Sequence, residues 1–257
     1  MGAATRLTVD RSGDRQALRW SHEWPVVLRP TGPAGRRVHL VHAAGGPLGG
    51  DDLALSVDVG RGARLAVHSA GATLVQPGAG TDAPARWTVA VDVAPHGHLH
   101  WAPEPTVVAD GAALASTLTV TVAAGAAATL REVVVLGRHG QRGGRYTGVT
   151  NVVVDGVVLL AHTTVLDGAD AALCGPAGTA GARAVGTLVC AGDMPLPATE
   201  RGETDGARWA WTLLDGPGAV LLAVGTPAAV TAVLDGAGLD GCDVSRAGPR
   251  TRARTPA

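Results

Sequence analysis

The 257-residue chain contains no lysine, no isoleucine and no phenylalanine. All 21 basic side chains are therefore arginine, and every chemistry that needs a lysine amine is excluded, including a Schiff base and a lysine-bearing phosphate loop. Aromatic residues are also scarce, with six Trp and one Tyr. The three cysteines, Cys174, Cys190 and Cys242, stand far apart with no Cys-x-x-Cys pair. That spacing argues for a reducing compartment and against a disulfide scaffold or zinc knuckle, with the thiols expected as buried small hydrophobes.

No apolar run reaches the roughly 18 residues that a membrane span requires. The start, Met1-Gly-Ala-Ala-Thr-Arg6, has no hydrophobic signal segment, and Arg6 stands where a myristoylation signal wants Ser or Thr. The expectation is a cytoplasmic protein without membrane association. With 21 basic against 22 acidic side chains the net charge is -1, which offers no field for nucleic acid and favours a stable protein partner.

What the chain has instead is 37 Gly and 16 Pro within a sequence that is 46% hydrophobic with mean hydropathy +0.20. That is too apolar for disorder and lacks collagen's period, so a packed body is required. Apolar residues recur with period two: Leu53, Leu55, Val57 and Val59, then Ala63, Leu65 and Val67 after a Gly60-Arg61-Gly62 turn. The same pattern returns through Leu214 and again in 219–224, and seven Asp-Gly pairs supply tight-turn positions, with Asp155-Gly156 the strongest hairpin signal.

The class is all-β with a few short helices. Patterning alone leaves a sandwich, a barrel and a stacked or helical arrangement open. One helix is expected from a Thr226 cap and Pro227 through about Leu234, ended by Asp235-Gly236. Stretches 70–85 and 174–183 read as loops or as chain inserted between sheets, not as domain linkers. Residues 1–245 are expected as a single domain and 246–257 as a flexible Arg-rich tail.

Several groups of residues are candidates for chemistry. The run His42-Ala-Ala-Gly45-Gly46-Pro47-Leu48-Gly49-Gly50-Asp51-Asp52 resembles a phosphate cradle only superficially, since no Lys, Ser or Thr closes it, no helix follows and its acids repel anions. It reads as a structural turn, or as a partner surface or ion path lined by Asp51. His96, His98 and His100 alternate as on one strand face, a spacing suited to transition-metal capture if a carboxylate converges, and otherwise to a solvated face. Glu104, Asp110 and Glu132 sit beside apolar strand residues, with Arg131 and Arg138 as possible ion-pair partners. Ser69 lacks a nucleophile elbow, and His42, His139 and His162 are isolated.

Several ordered segments resemble the UreD (UreH) family of urease accessory proteins: Gly45 to Ala63, Ser69 to Gln76, His98 to Ala112, Arg131 to Arg138 and the turn near Tyr146. The resemblance spans about 45–166, with looser similarity at either side. It implies an elongated β body of stacked sheets, β-helix-like or sandwich-like, that acts without catalysis in inserting nickel into apo-urease. The implied partners are a helical UreF-like protein, a UreG-like GTPase and the urease apoprotein, with Ni²⁺ as transient cargo and no tightly bound cofactor.

By position, Gly45, Gly46, Gly49, Gly50 and Asp51 match the family's glycine-acid motif. Glu104 matches its Pro-Gln-Glu segment, Asp110 its Asp-Gly pair, and Glu132 and Arg138 its acid and Gly-Arg segment. The chain departs from relatives at Thr73-Leu74-Val75-Gln76 and at Pro103-Glu104-Pro105-Thr106. The expectation is a hydrated acidic route, or a partner surface, supported by Asp51, Glu104 and Asp110. A cupin-like metal-binding enzyme using His96, His98 or His100, and a generic β interaction module, are the alternatives.

Overall fold

The alternating segments become strands of two large sheets in the computed structural model, which describes residues 1–32 and 36–237. The first sheet has the order β14 (Val157–Asp167), β13 (Arg145–Val154), β11 (Ala113–Val122), β8 (Ala85–Val93), β5 (Asp52–Val59), β1 (Gly2–Ser12) and β2 (Arg15–Ser21). The second runs β16 (Arg201–Thr204), β17 (Ala207–Leu213), β18 (Gly218–Gly225), β15 (Ala184–Gly192), β12 (Ala127–Leu136), β9 (His98–Ala102), β6 (Arg64–Ser69), β4 (Arg37–His42) and β3 (Val26–Thr31). The second half of β12 also pairs with β10 (Thr106–Val108), which pairs in turn with β7 (Thr73–Val75).

The chain coils. β1, β5, β8, β11 and β13 are parallel neighbours in the first sheet, as are β4, β6, β9 and β12 in the second. Antiparallel strands continue both sheets beyond this coiled part: β2 and β14 on the first, and β3 and β15 to β18 on the second. The result is a solenoid of stacked sheets, the β-helix-like arrangement among those left open by patterning. Alternate residues face inward: Leu55, Val57, Val89, Val91, Val120 and their neighbours meet Leu65, Leu99, Trp101 and Leu130 in one continuous core.

Three stacked corners joining the sheets share one geometry, which a fourth at Ala109–Ala112 repeats with Ala112 N–H bonding Ala109 O at 3.0 Å and Gly111 at φ 73°. Ala63 N–H bonds Gly60 O at 3.0 Å, Gly97 N–H bonds Ala94 O at 2.8 Å, and Ala126 N–H bonds Ala123 O at 3.0 Å. The third corner residue has positive φ each time: Gly62 at 65°, His96 at 60° and Gly125 at 70°. Each corner also passes hydrogen bonds to its neighbour, with Gly60 N–H donating to Val9 O, Ala94 N–H to Val59 O and Ala123 N–H to Val93 O at 2.8 to 2.9 Å. Backbone groups that a loop would leave to water are thereby paired within the stack.

The Asp155-Gly156 hairpin forms as expected, with φ of 49° and 78°, between β13 and β14. A helix α1 (Ala171–Cys174) precedes the expected loop, started by the Asp170 carboxylate accepting Ala172 N–H at 2.8 Å. Helix α2 (Pro227–Gly236) matches its expected start, Thr226 Oγ1 accepting Ala229 N–H, and buries Val230 and Leu234 against β15 and β18. Two expectations need correction. Stretch 70–85 is not wholly loop, because β7 forms where Thr73–Val75 pairs with β10. Cys190 is buried, but Cys174 is exposed at the end of α1. Cys242 and the expected tail lie outside the described residues.

Because β-branched residues tolerate positive φ poorly, His96→Val is expected to lower unfolding stability by about 1–2 kcal/mol, against less than about 1 kcal/mol for His96→Gly. Urea denaturation measures both, and a His96→Val variant as stable as the wild type contradicts the corner geometry.

Candidate functional site

Within the apolar run of β12, Leu130, Glu132 and Val134 point between the sheets while Arg131, Val133 and Val135 point outward. Glu132 therefore enters the interior, where a cavity of about 50 Å³ lies between the sheets. This is room for on the order of three waters. Leu118, Trp101, Trp87 and Tyr146 supply apolar walls, and Ser69, Ser116, His42 and Glu104 add polar groups. Part of Glu132 remains accessible although its carboxyl is enclosed by protein, because it faces this cavity rather than a packed side chain.

Tyr146 OH donates to Glu132 Oε1 at 2.6 Å. Burial pushes the Glu132 carboxyl above its ordinary 4.5, a rise only partly opposed by that hydrogen bond. Burial and the neighbouring Glu132 together push the Tyr146 phenol well above 10.0. The interior thus stores a carboxylic acid that gains from being neutral, and a cation arriving beside it would release its proton. His42 faces the same space, edge-on to Trp87 at 5.5 Å between ring centroids. Burial lowers its pKa, and its Nδ1 has no hydrogen-bond partner. Nothing local in the sequence distinguished His42, because its neighbours in the cavity come from other coils.

Glu104 stands at the cavity's rim, half exposed. Its backbone N–H donates to Ser69 Oγ at 2.9 Å, and its carboxylate lies 3.9 Å from Arg131. Arg131 is nearly buried; it pairs with Asp235 of α2 and donates to the carbonyls of Ala102 and Pro103. One guanidinium therefore ties the helix, the strand and the rim loop together.

Of the sequence-nominated acids, the cavity gathers only Glu104 and Glu132. Asp51 is occupied elsewhere: Oδ1 lies 2.9 Å from the Met1 ammonium and Oδ2 accepts Leu48 N–H at 2.9 Å. Asp110 accepts Gly143 N–H at 2.6 Å, and Gln141 links its corner to Arg138 by accepting Arg138 N–H at 3.0 Å. Asp51 and Asp110 thus fasten backbone and do not line this cavity. Glu132, being enclosed, is no part of an outer surface.

The glycine run serves close approach of backbone to backbone. A Cβ on Gly46, at φ 108°, would fall 1.8 Å from Leu74 O, and one on Gly49 would fall 2.6 Å from Gly78 N. Gly45 accepts the Gln76 side-chain amide at 3.2 Å, and Gly50 has φ 86°.

The imidazole series divides. His96 occupies a corner, while His98 and His100 lie on the outer face of β9, so the three do not share one strand face. His100 instead bonds Thr129 on β12 at 2.8 Å. Among the described residues no three His, Cys, Asp or Glu side chains are placed to hold a metal ion, and no helix is long and apolar enough to cross a membrane.

The architecture is thus that of a two-sheet parallel solenoid enclosing an acid-bearing cavity. The sequence profile described as UreD urease accessory protein matches residues 1–233. Urease accessory protein UreD of Streptomyces coelicolor is 41% identical over 221 residues, covering 84% of this chain and 86% of that protein. UreD 3 of Streptomyces griseus is 40% identical over 237 residues, covering 88% and 91%, and UreD of Frankia casuarinae is 37% identical over 230 residues, covering 77% and 72%. The chain belongs to the UreD family of urease accessory proteins.

Glu132 carries a raised pKa, so the folded state keeps a proton that the unfolded chain releases. Wild-type stability accordingly falls as pH rises from about 4.5 through the raised value. Glu132→Gln cannot ionise and is expected to gain on the wild type across that interval. Thermal unfolding of both proteins from about pH 4 to about pH 8 measures the gain; a difference independent of pH contradicts the enclosed carboxyl.

Proposed function

We propose that this protein is a non-catalytic scaffold of the cytoplasmic complex that inserts nickel into apo-urease, with a UreF-like protein, a UreG-like GTPase and the urease apoprotein as partners. The observation that carries this reading is membership of the UreD family over residues 1–233. The cavity adds a chemical reason. Glu104 at the rim and Glu132 within offer oxygen donors, and His42 offers a nitrogen, without a closed set of ligands.

Such a lining suits passage of Ni²⁺ better than storage, because imidazole and carboxylate attract a borderline cation while an incomplete set releases it. Glu132 would exchange its proton for the passing cation and recover it afterwards, Tyr146 holding the carboxylate oriented throughout. A cupin-like metalloenzyme is disfavoured by His96, His98 and His100, which do not converge.

Reconstitution tests the proposal. Apo-urease, UreF-like protein and nickel-loaded UreG-like GTPase are combined with and without this chain, and nickel per urease is counted by mass spectrometry. The expected result is loading that depends on the chain, together with recovery of a complex containing it. Equal loading in its absence overturns the proposed role.

A further inference from the structure

The second sheet has two unlike outer faces. Around β15 and β18 it is covered by α2, whereas among the described residues neither helix packs over β3, β4, β6 and β9. None of those four strands contains Asp or Glu. Their outward positions align across the strands, pairing Arg29 with His39, His39 with His68 and Arg64 with His98. The rings of His39, His68 and His100 form a ladder with successive centroids 5.6 Å apart. Thr31 and Thr129 hold its two ends at 2.9 and 2.8 Å. Ala66 and Ala102, both buried, make a low floor between these taller side chains.

Two polar atoms of this face are buried and without a hydrogen-bond partner, His68 Nε2 and Arg37 Nε. Among the described residues, Glu104 and Asp235 pair with Arg131, and Asp193 acts on His98. We propose that this face is a docking surface for a carboxylate-rich segment of a partner protein, lying over the alanine floor between arginine and imidazole side chains. Alternate side chains of an extended segment stand roughly 6–7 Å apart, a spacing comparable with that of the ladder's rings. A nucleic acid fits less well, because the chain's net charge of -1 supplies no long-range positive field.

The ladder also gives the docking a pH sense. Burial holds His68 down at about 4, reinforced by the charges of His100, Arg37, His39 and Arg131. A carboxylate arriving beside His68 raises the affinity of that ring for protons, so binding takes up protons and tightens as pH falls.

The test uses the full chain and a fluorescent oligo-glutamate peptide, followed by anisotropy at low ionic strength. The wild type is expected to bind, more tightly at about pH 6 than at about pH 7.5, and Arg37→Glu/Arg64→Glu to lose about tenfold or more. Arg37→Gln/Arg64→Gln, which only removes charge, is expected to show a smaller loss and serves if the reversed variant does not fold. His68→Gln/His100→Gln is expected to retain binding at the higher pH and lose the tightening. Wild-type affinity in the arginine variants, or tighter binding of a DNA oligonucleotide of equal charge, overturns the proposal.

Discussion

Three stacked corners between the sheets each hand a backbone hydrogen bond to the neighbouring coil. Val9, Val59 and Val93 each accept from the first residue of an adjacent corner, and Val122 accepts from Asp155 in the last step of the series. This fixes register, because a one-residue slip in any strand would unpair the corner and turn its valines outward. The core contains Val, Leu and Ala with few large rings, so shape comes from repetition of thin layers more than from bulky side chains. The glycine content serves the same constraint, in left-handed corner positions and in the contact of Gly46 with Leu74.

Register also determines what lies inside. Once β12 is aligned with β9 and β15, position 132 must face the interior, and the acid there needs a partner from another coil. Tyr146, the chain's one tyrosine, supplies it from β13. A buried polar pair costs desolvation unless it is satisfied, and the cavity, Ser116 and the phenol together limit that cost. The same constraint separates two kinds of acid: Glu104 and Glu132 face open space, whereas Asp51 and Asp110 spend their oxygens on backbone N–H groups and the N-terminal amine.

Much of the fold was legible because its signals are local. Alternation marked the strands, Asp155-Gly156 marked a hairpin, and Thr226-Pro227 marked the start of α2. The site was less legible, since its members meet only after coiling. Residues 130–136 read as one apolar run because both faces of β12 are covered, the inner by the opposite sheet and the outer by α2. Alternation therefore could not tell that Glu132 points inward. The period-two spacing of His98 and His100 was a true strand signal, but His100 finds His68 on the neighbouring strand and His96 turns a corner. Resemblance to the UreD family supplied what spacing could not, namely the biological setting.

The proposed role turns on whether nickel uses the space between the sheets. Ser116 is buried and lines that space, so Ser116→Leu fills it without altering the outer face. The decisive measurement is nickel per urease after maturation with this variant, alongside recovery of the assembled complex. Nickel passage through the cavity predicts an intact complex and loading reduced several-fold; full loading with the cavity shown to be filled would contradict it.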